Sequence, residues 1–251
     1  MPLRVLAIAA TDLELAPLVE HLAGGVPRRS RWGPATLGTI GATEVVAQAL
    51  GLGKANTAAG LALALLAWRP HAVLQIGVGG AYLGSFLSVG MVAAAVDEID
   101  LDLGVRDASG WHGLDAIGFP LTPARDGRPE RLNLVPTHAG LLTALMAAAE
   151  VAPVRFATLD TLTGDVDAGA ALASAHDVAI ESMEGVAAAQ ICDRFGLPFA
   201  EVRGVSNIVG ERDRTRWNLR AAVHGAADAA RALLRDAGAI ERALAADESA
   251  T

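Results

Sequence analysis

Two short runs hold residue types whose spacing suggests chemistry: Ser206-Asn207, inside RGVSNIVGERDRTRW from Arg203 to Trp217, and Glu181-Ser182-Met183-Glu184-Gly185 upstream of it. The first pair follows the apolar stretch Leu197–Val202 and precedes a helical pattern. That places it at the carboxyl end of a strand, where open α/β sheets bind ligands. The second run opens an Ala-rich helix. Glu184 offers two acceptor oxygens to a sugar diol, and Met183 a soft apolar wall. A carboxylate at a helix start and an amide at the next strand end together suit a ribose and a purine base. Glu14 lies just beyond the first apolar run, near the same sheet edge, where a carboxylate can activate water as a general base. Each residue also has an ordinary reading. Glu14 and Glu184 suit the first turn of a helix, and Asn207 suits a turn.

Glycine-rich runs follow two expected strands: Gly51-Leu52-Gly53-Lys54 and Gly77-Val78-Gly79-Gly80. Neither has the spacing of a dinucleotide-binding turn or a P-loop. Gly77–Gly80 reads as a strand-end turn that lets backbone approach a ligand.

Composition narrows the classes. The chain has 251 residues, 52% of them hydrophobic, and a formal net charge of −8. It has material for a sizeable core but no basic run that would track a nucleic-acid backbone. No uninterrupted apolar run is long enough to cross a membrane, and the N-terminus reads as a first strand, not a secretory signal. The single cysteine, Cys192, fits a reducing, cytoplasmic setting and a small buried side chain. The six histidines form no metal-binding spacing, so neither metal nor cofactor is expected.

These residues need elements to position them. Strands are expected at Arg4–Ala10, Ala72–Ile76, Val89–Ile99, Arg155–Leu159, Val178–Ile180 and Phe199–Val205. Thr36–Ile40 and Thr43–Leu50 form a hairpin about Gly41-Ala42. Helices are expected at Leu13–Leu22 (capped by Thr11 or Asp12), Thr57–Trp68, Leu141–Glu150, Met183–Phe195 and Asn218–Leu234. Residues 101–135 form a long irregular excursion, of the kind often used as a binding loop. The alternation predicts one α/β domain over residues 1–240, three-layered α/β/α with a mixed central sheet. The Ala/Asp/Glu-rich tail, 241–251, is expected to fray.

Over residues 3–235 the chain resembles the nucleoside phosphorylase and nucleosidase family, including its methylthioadenosine/S-adenosylhomocysteine nucleosidases. The opening strand with its ATDLEL turn, the GxGK turn at Gly51–Lys54, Ile76–Gly80, Ser182-Met183-Glu184 and Ser206-Asn207 carry the likeness. The resemblance implies that Glu14 activates water, that Glu184 binds the ribose hydroxyls, and that Asn207 handles the purine N7 with Ser206 fixing its amide. It places Val78, Gly79 and Thr163 around the base and Met183 against the sugar. Adenine-cleaving members carry Asp where this chain has Asn207, which implies a 6-oxopurine. Family phosphorylases use arginines to hold phosphate, whereas Ala9–Glu14 offers acids, so water is the expected nucleophile. The run from Ser206-Asn207 to Trp217 and the segment Asp102–Pro120 most resemble the futalosine-hydrolysing branch. Its substrate has an aromatic, carboxylate-bearing 5′ group, for which Arg106, Trp111, Phe119 and Arg212 are candidates. For Arg212 an ion pair with Asp213 or Glu211 is the competing reading, and Trp217 reads as a packing residue rather than a base stacker. The resemblance further implies a homodimer or larger homo-oligomer acting on a small nucleoside.

Overall fold

The first strand, β1 (Arg4–Ala9), is apolar after Arg4 because it lies inside the sheet with a parallel neighbour on each side. Its side chains alternate between two cores: Val5 and Ala7 face one, Leu6 and Ile8 the other. A computed structural model describes residues 2–125 and 127–248 of the chain. After β1 come α1 (Asp12–Val19), β2 (Ala23–Arg29), β3 (Pro34–Ile40), β4 (Thr43–Ala49), α2 (Lys54–Trp68), β5 (Ala72–Ala81) and β6 (Val92–Asp100). A small ribbon, β7 (Val105–Asp107) with β8 (Gly110–His112), precedes β9 (Leu134–Pro136), α3 (Ala139–Ala148), β10 (Ala152–Thr158) and α4 (Val166–His176). The remainder is β11 (Ile180–Ser182), α5 (Gly185–Phe195), β12 (Phe199–Ile208), α6 (Leu219–Arg235) and α7 (Ala237–Glu248).

The sheet runs β2-β3-β4-β1-β5-β12-β6-β10-β11, with β9 added on β6. It is mixed, as expected: β1 pairs in parallel with β4 and β5, while β12 is parallel to β5 and antiparallel to β6. Strand β11 also pairs antiparallel with β5, so β5, β12, β6, β10 and β11 close on themselves. One core packs Leu15 and Leu18 of α1, Leu145 of α3 and Leu233 of α6 on the sheet. Across the sheet, Leu61 and Leu65 of α2 and Val186 and Ala189 of α5 form the second.

Several expectations are corrected. Gly77–Gly80 is not a turn: β5 continues through it to Ala81. Helix α1 stops at Val19 and ends in tighter i→i+3 bonds, His21 N–H to Leu18 O and Leu22 N–H to Val19 O. The strand expected at Val178–Ile180 lies at Ile180–Ser182. Strand β2 and helix α4 have no counterpart among the expected elements; β2 is exposed along its length and carries Gly24, Gly25 and Pro27. The expected frayed tail is instead helix α7 as far as Glu248, held by burial of Ile240 and Ala243 in the same core as Leu141 and Leu145 of α3; residues 249–251 lie outside the described residues. The excursion after β6 is largely irregular. Asn133 pins it, accepting from Leu114 N–H (2.7 Å) and donating to Asp100 O (2.9 Å) and Leu103 O (2.8 Å).

Candidate active site

Glu14 reaches the sheet edge because Thr11 caps α1. The Thr11 side chain accepts from Glu14 N–H, and Glu14 Oε2 accepts from Thr11 N–H (3.0 Å) and Oγ1 (2.8 Å), a capping box. The other oxygen, Oε1, accepts from Val78 N–H of β5 at 3.1 Å. The cap and the site therefore share one carboxylate. Glycine at position 77 leaves room for this approach: a Cβ there would stand 2.7 Å from Glu14 Oε1 and 2.9 Å from an Arg203 Nη, so a side chain would push both away from β5.

Arg203, on β12, is 2% exposed. Its Nε donates to Glu201 Oε1 (2.7 Å), one Nη to Val78 O (2.9 Å) and the other to Glu184 Oε2 (3.2 Å). Burial opposes its charge, but the carboxylates of Glu201, Glu184 and Glu14 outweigh that and hold its pKa above the ordinary arginine value. Glu184 is the N-cap of α5, yet its side chain makes no cap bond. It turns to Arg203 and to Gly53 N–H, which donates to Oε1 at 3.0 Å. Glu184 stands at the helix start, as its ordinary reading has it, but its carboxylate bonds away from the helix it begins. The Gly51–Lys54 turn is in turn fastened by the Lys54 ammonium, which pairs with Asp100 at 3.0 Å, with Asp102, and with Asp160 at 3.6 Å.

The eight residues expected to handle water, ribose and base all line one cavity of about 290 Å³: Glu14, Val78, Gly79, Thr163, Met183, Glu184, Ser206 and Asn207. At one side Ser206 Oγ donates to Asn207 Oδ1 (2.7 Å), and Asn207 Nδ2 donates to Ile208 O (2.9 Å). This leaves a second amide N–H available to a ligand. The structure does not bring Arg106, Trp111 or Phe119 to this cavity. Trp111 packs edge-on against His176 with ring centroids 5.5 Å apart, and Phe119 is 72% exposed on the excursion. Arg212 and Trp217 do line it, the guanidinium lying 5.7 Å from the indole centroid. Arg216, not Arg212, holds Glu211 and Asp213.

Sequence reasoning passed over Arg203, Glu181 and the cavity-lining role of Trp217. For Arg203 a signal existed: Glu201 and Arg203 put two charges, i and i+2, on one face of an otherwise apolar strand. Among the described residues, no group of three or more His, Cys, Asp or Glu is placed to hold a metal ion, and no helix is long and apolar enough to cross a membrane.

Fold and site together define a nucleoside phosphorylase-like α/β protein. The model of the phosphorylase superfamily matches residues 4–237, and the chain belongs to that superfamily. It is 33% identical over 193 residues to the futalosine hydrolase of Thermus thermophilus, covering 76% of this chain and 82% of that one. It is 31% identical over 195 residues to the futalosine hydrolase of Streptomyces coelicolor, covering 72% and 74%. Similar solved folds include the futalosine hydrolase of Helicobacter pylori (TM-score 0.78, 18% identity, 94% of this chain and 99% of that one). Another is the S-adenosylhomocysteine nucleosidase of Streptococcus pyogenes (TM-score 0.79, 21% identity, 94% and 97%).

Proposed function

We propose that this protein hydrolyses the N-glycosidic bond of futalosine, releasing hypoxanthine and dehypoxanthine futalosine, in menaquinone biosynthesis. The observation that carries the reading is Asn207, an amide oriented by Ser206 in a cavity that is also lined by the carboxylates of Glu14 and Glu184. Two relatives above 30% identity bear the name futalosine hydrolase.

In this mechanism Glu184 holds the 2′ and 3′ hydroxyls, with Arg203 and Gly53 N–H fixing its orientation. Glu14 orients water and takes its proton as the oxygen bonds to C1′ and the C1′–N9 bond breaks. The ribose gains positive charge as the base leaves, and the two carboxylates stabilise it. Asn207 donates to N7 and stabilises the base as it leaves as an anion, which then takes a proton from solvent while Glu14 gives up the one it took from water. Val78, Gly79 and Thr163 surround the base, Met183 packs on the sugar, and no metal or organic cofactor takes part. Arg212 and Trp217, at the same cavity, supply a cation and an apolar wall for the 5′ group. Leu13, Leu52 and Leu162 line the cavity while 60%, 59% and 41% exposed, which supports a homodimer or larger homo-oligomer completing the pocket. The single buried cysteine supports a cytoplasmic location.

The test is hypoxanthine release from futalosine in phosphate-free buffer, beside inosine and methylthioadenosine. Rapid release from futalosine alone is expected. Release of adenine from methylthioadenosine instead would assign the chain to the methylthioadenosine nucleosidases, which are among its relatives at 26–30% identity.

A further inference from the structure

Glu181 is a buried carboxylate that lines the cavity and takes no part in the steps above. Its position follows from sheet register. On β11 it pairs with Gly80 of β5, and on the other side of β5 Gly80 pairs with Asn207 of β12. Residues in register on adjacent strands point to the same face. Glu181 and Asn207 therefore flank Gly80 on one face, their Cα atoms about 10 Å apart across two strand spacings. Gly80 keeps the gap between them open. A Cβ there would stand 3.0 Å from Val209 Cγ2 and 3.4 Å from Asn207 Nδ2.

The bonding of Glu181 is uneven. Oε2 accepts from Thr163 Oγ1 (2.6 Å) and Tyr82 OH (2.8 Å), whereas Oε1 accepts, among the described residues, only from Thr163 N–H (2.9 Å). A carboxylate has about four acceptor positions, so one on Oε1 remains. Burial and the Glu181 carboxylate both raise the pKa of the Tyr82 hydroxyl, which therefore stays a donor. The three groups hydrogen-bonded to Glu181 all donate to it, and the position left on Oε1 is an acceptor of the carboxylate. A 6-oxopurine offers a donor, N1–H, on the edge next to O6 and N7. A 6-aminopurine offers a lone pair at N1, which a carboxylate repels.

We propose that Glu181 is the specificity-determining residue of this site, its carboxylate accepting the N1–H of a 6-oxopurine whose N7 is held by Asn207. The inference rests on the nucleosidase reading above and adds how the base is chosen.

The experiment compares wild type with Glu181→Leu on futalosine, inosine, adenosine and methylthioadenosine. Leucine removes the acceptor at similar volume, whereas a glutamine would leave its oxygen on Thr163 N–H and keep an acceptor for N1–H. The ratio of kcat/KM for 6-oxopurine over 6-aminopurine nucleosides is expected to fall by about 100-fold or more, as when a site built to bond one polar edge loses it. An equal loss on every substrate, with the ratio unchanged, would mark Glu181 as structural and overturn the proposal. Equilibrium binding to wild type gives a second readout that holds even if the variant does not fold. Hypoxanthine should bind at least about tenfold tighter than 1-methylhypoxanthine or adenine, and equal binding of the three would overturn the proposal. Release of adenine but never hypoxanthine by wild type would defeat the nucleosidase reading and this inference together. Cleavage of futalosine with an unmoved ratio in the variant would defeat this inference alone.

Discussion

The Arg203 guanidinium lies 3.2 Å from Glu184 Oε2 with both side chains almost wholly buried, and the same guanidinium holds Glu201 at 2.7 Å. One cation thus ties a strand carboxylate to the one that lines the cavity from the start of α5. Replacing Arg203 with Met removes the partner and leaves two buried carboxylates facing each other's charge. The expected cost is about 3–5 kcal/mol, the usual penalty for breaking a buried pair from one side. Urea unfolding of the variant against wild type measures it.

Glu14→Gln keeps an oxygen for the capping bonds but cannot take a proton from water. We expect kcat for futalosine to fall about 10²–10⁴-fold, the range for losing a general base, with KM changed far less. Steady-state kinetics on purified variant checks this. A change confined to KM would assign Glu14 to binding alone.

Asn207→Asp introduces the residue type that the family resemblance gives to adenine-cleaving members at this position. The new carboxylate would face O6 of hypoxanthine with oxygens of its own, and the relative preference should move toward 6-aminopurine nucleosides by about tenfold, roughly one hydrogen bond. Competition between inosine and adenosine in one reaction reads the shift directly.

Glu98 lies beside Glu201 in the sheet interior and accepts from Thr158 Oγ1 at 2.6 Å. Burial, and then the Glu201 carboxylate, push its pKa well above the ordinary 4.5. The folded state therefore binds this proton more tightly than the unfolded chain. Its stabilising contribution is fully present below about pH 4.5 and is lost as pH rises through the raised value. Glu98→Gln, which is neutral at every pH, should flatten this part of the stability profile. Denaturant midpoints collected across the pH range provide the comparison.

Cys192 is buried in α5, and burial, followed by the Asp193 charge, pushes its thiol far above the ordinary range. The thiolate is the reactive form. Iodoacetamide should leave the native protein unlabelled and modify it in denaturant, as intact mass spectrometry would record.

Local patterns in the chain were enough to identify Glu14, Glu184, Ser206 and Asn207, because each sits where a strand gives way to a helix or loop and that boundary is written in neighbouring residues. The capping box Thr11–Glu14 is a four-residue signal, and the apolar stretch before Ser206 is another. The hairpin of β3 and β4 was legible for the same reason. What the sequence could not determine is which elements lie side by side. Glu181 and Asn207 meet across Gly80 only because β11 closes onto β5 while β12 flanks it, and pairing between distant segments leaves no local trace. The same holds for Arg203. Its charge is visible in the chain, but its bridging of Glu201 and Glu184 beside Glu14 depends on strand register and on Gly77 leaving room above β5. Two tryptophans divide likewise. The sequence favours Trp111 as a cavity residue and Trp217 as a packing residue, whereas the fold puts Trp111 against His176 and Trp217, in the loop after β12, at the cavity. Sequence determined the chemical groups and the period of each element. Tertiary structure decided which groups share a low-dielectric cavity, since burial and proximity are properties of non-local packing.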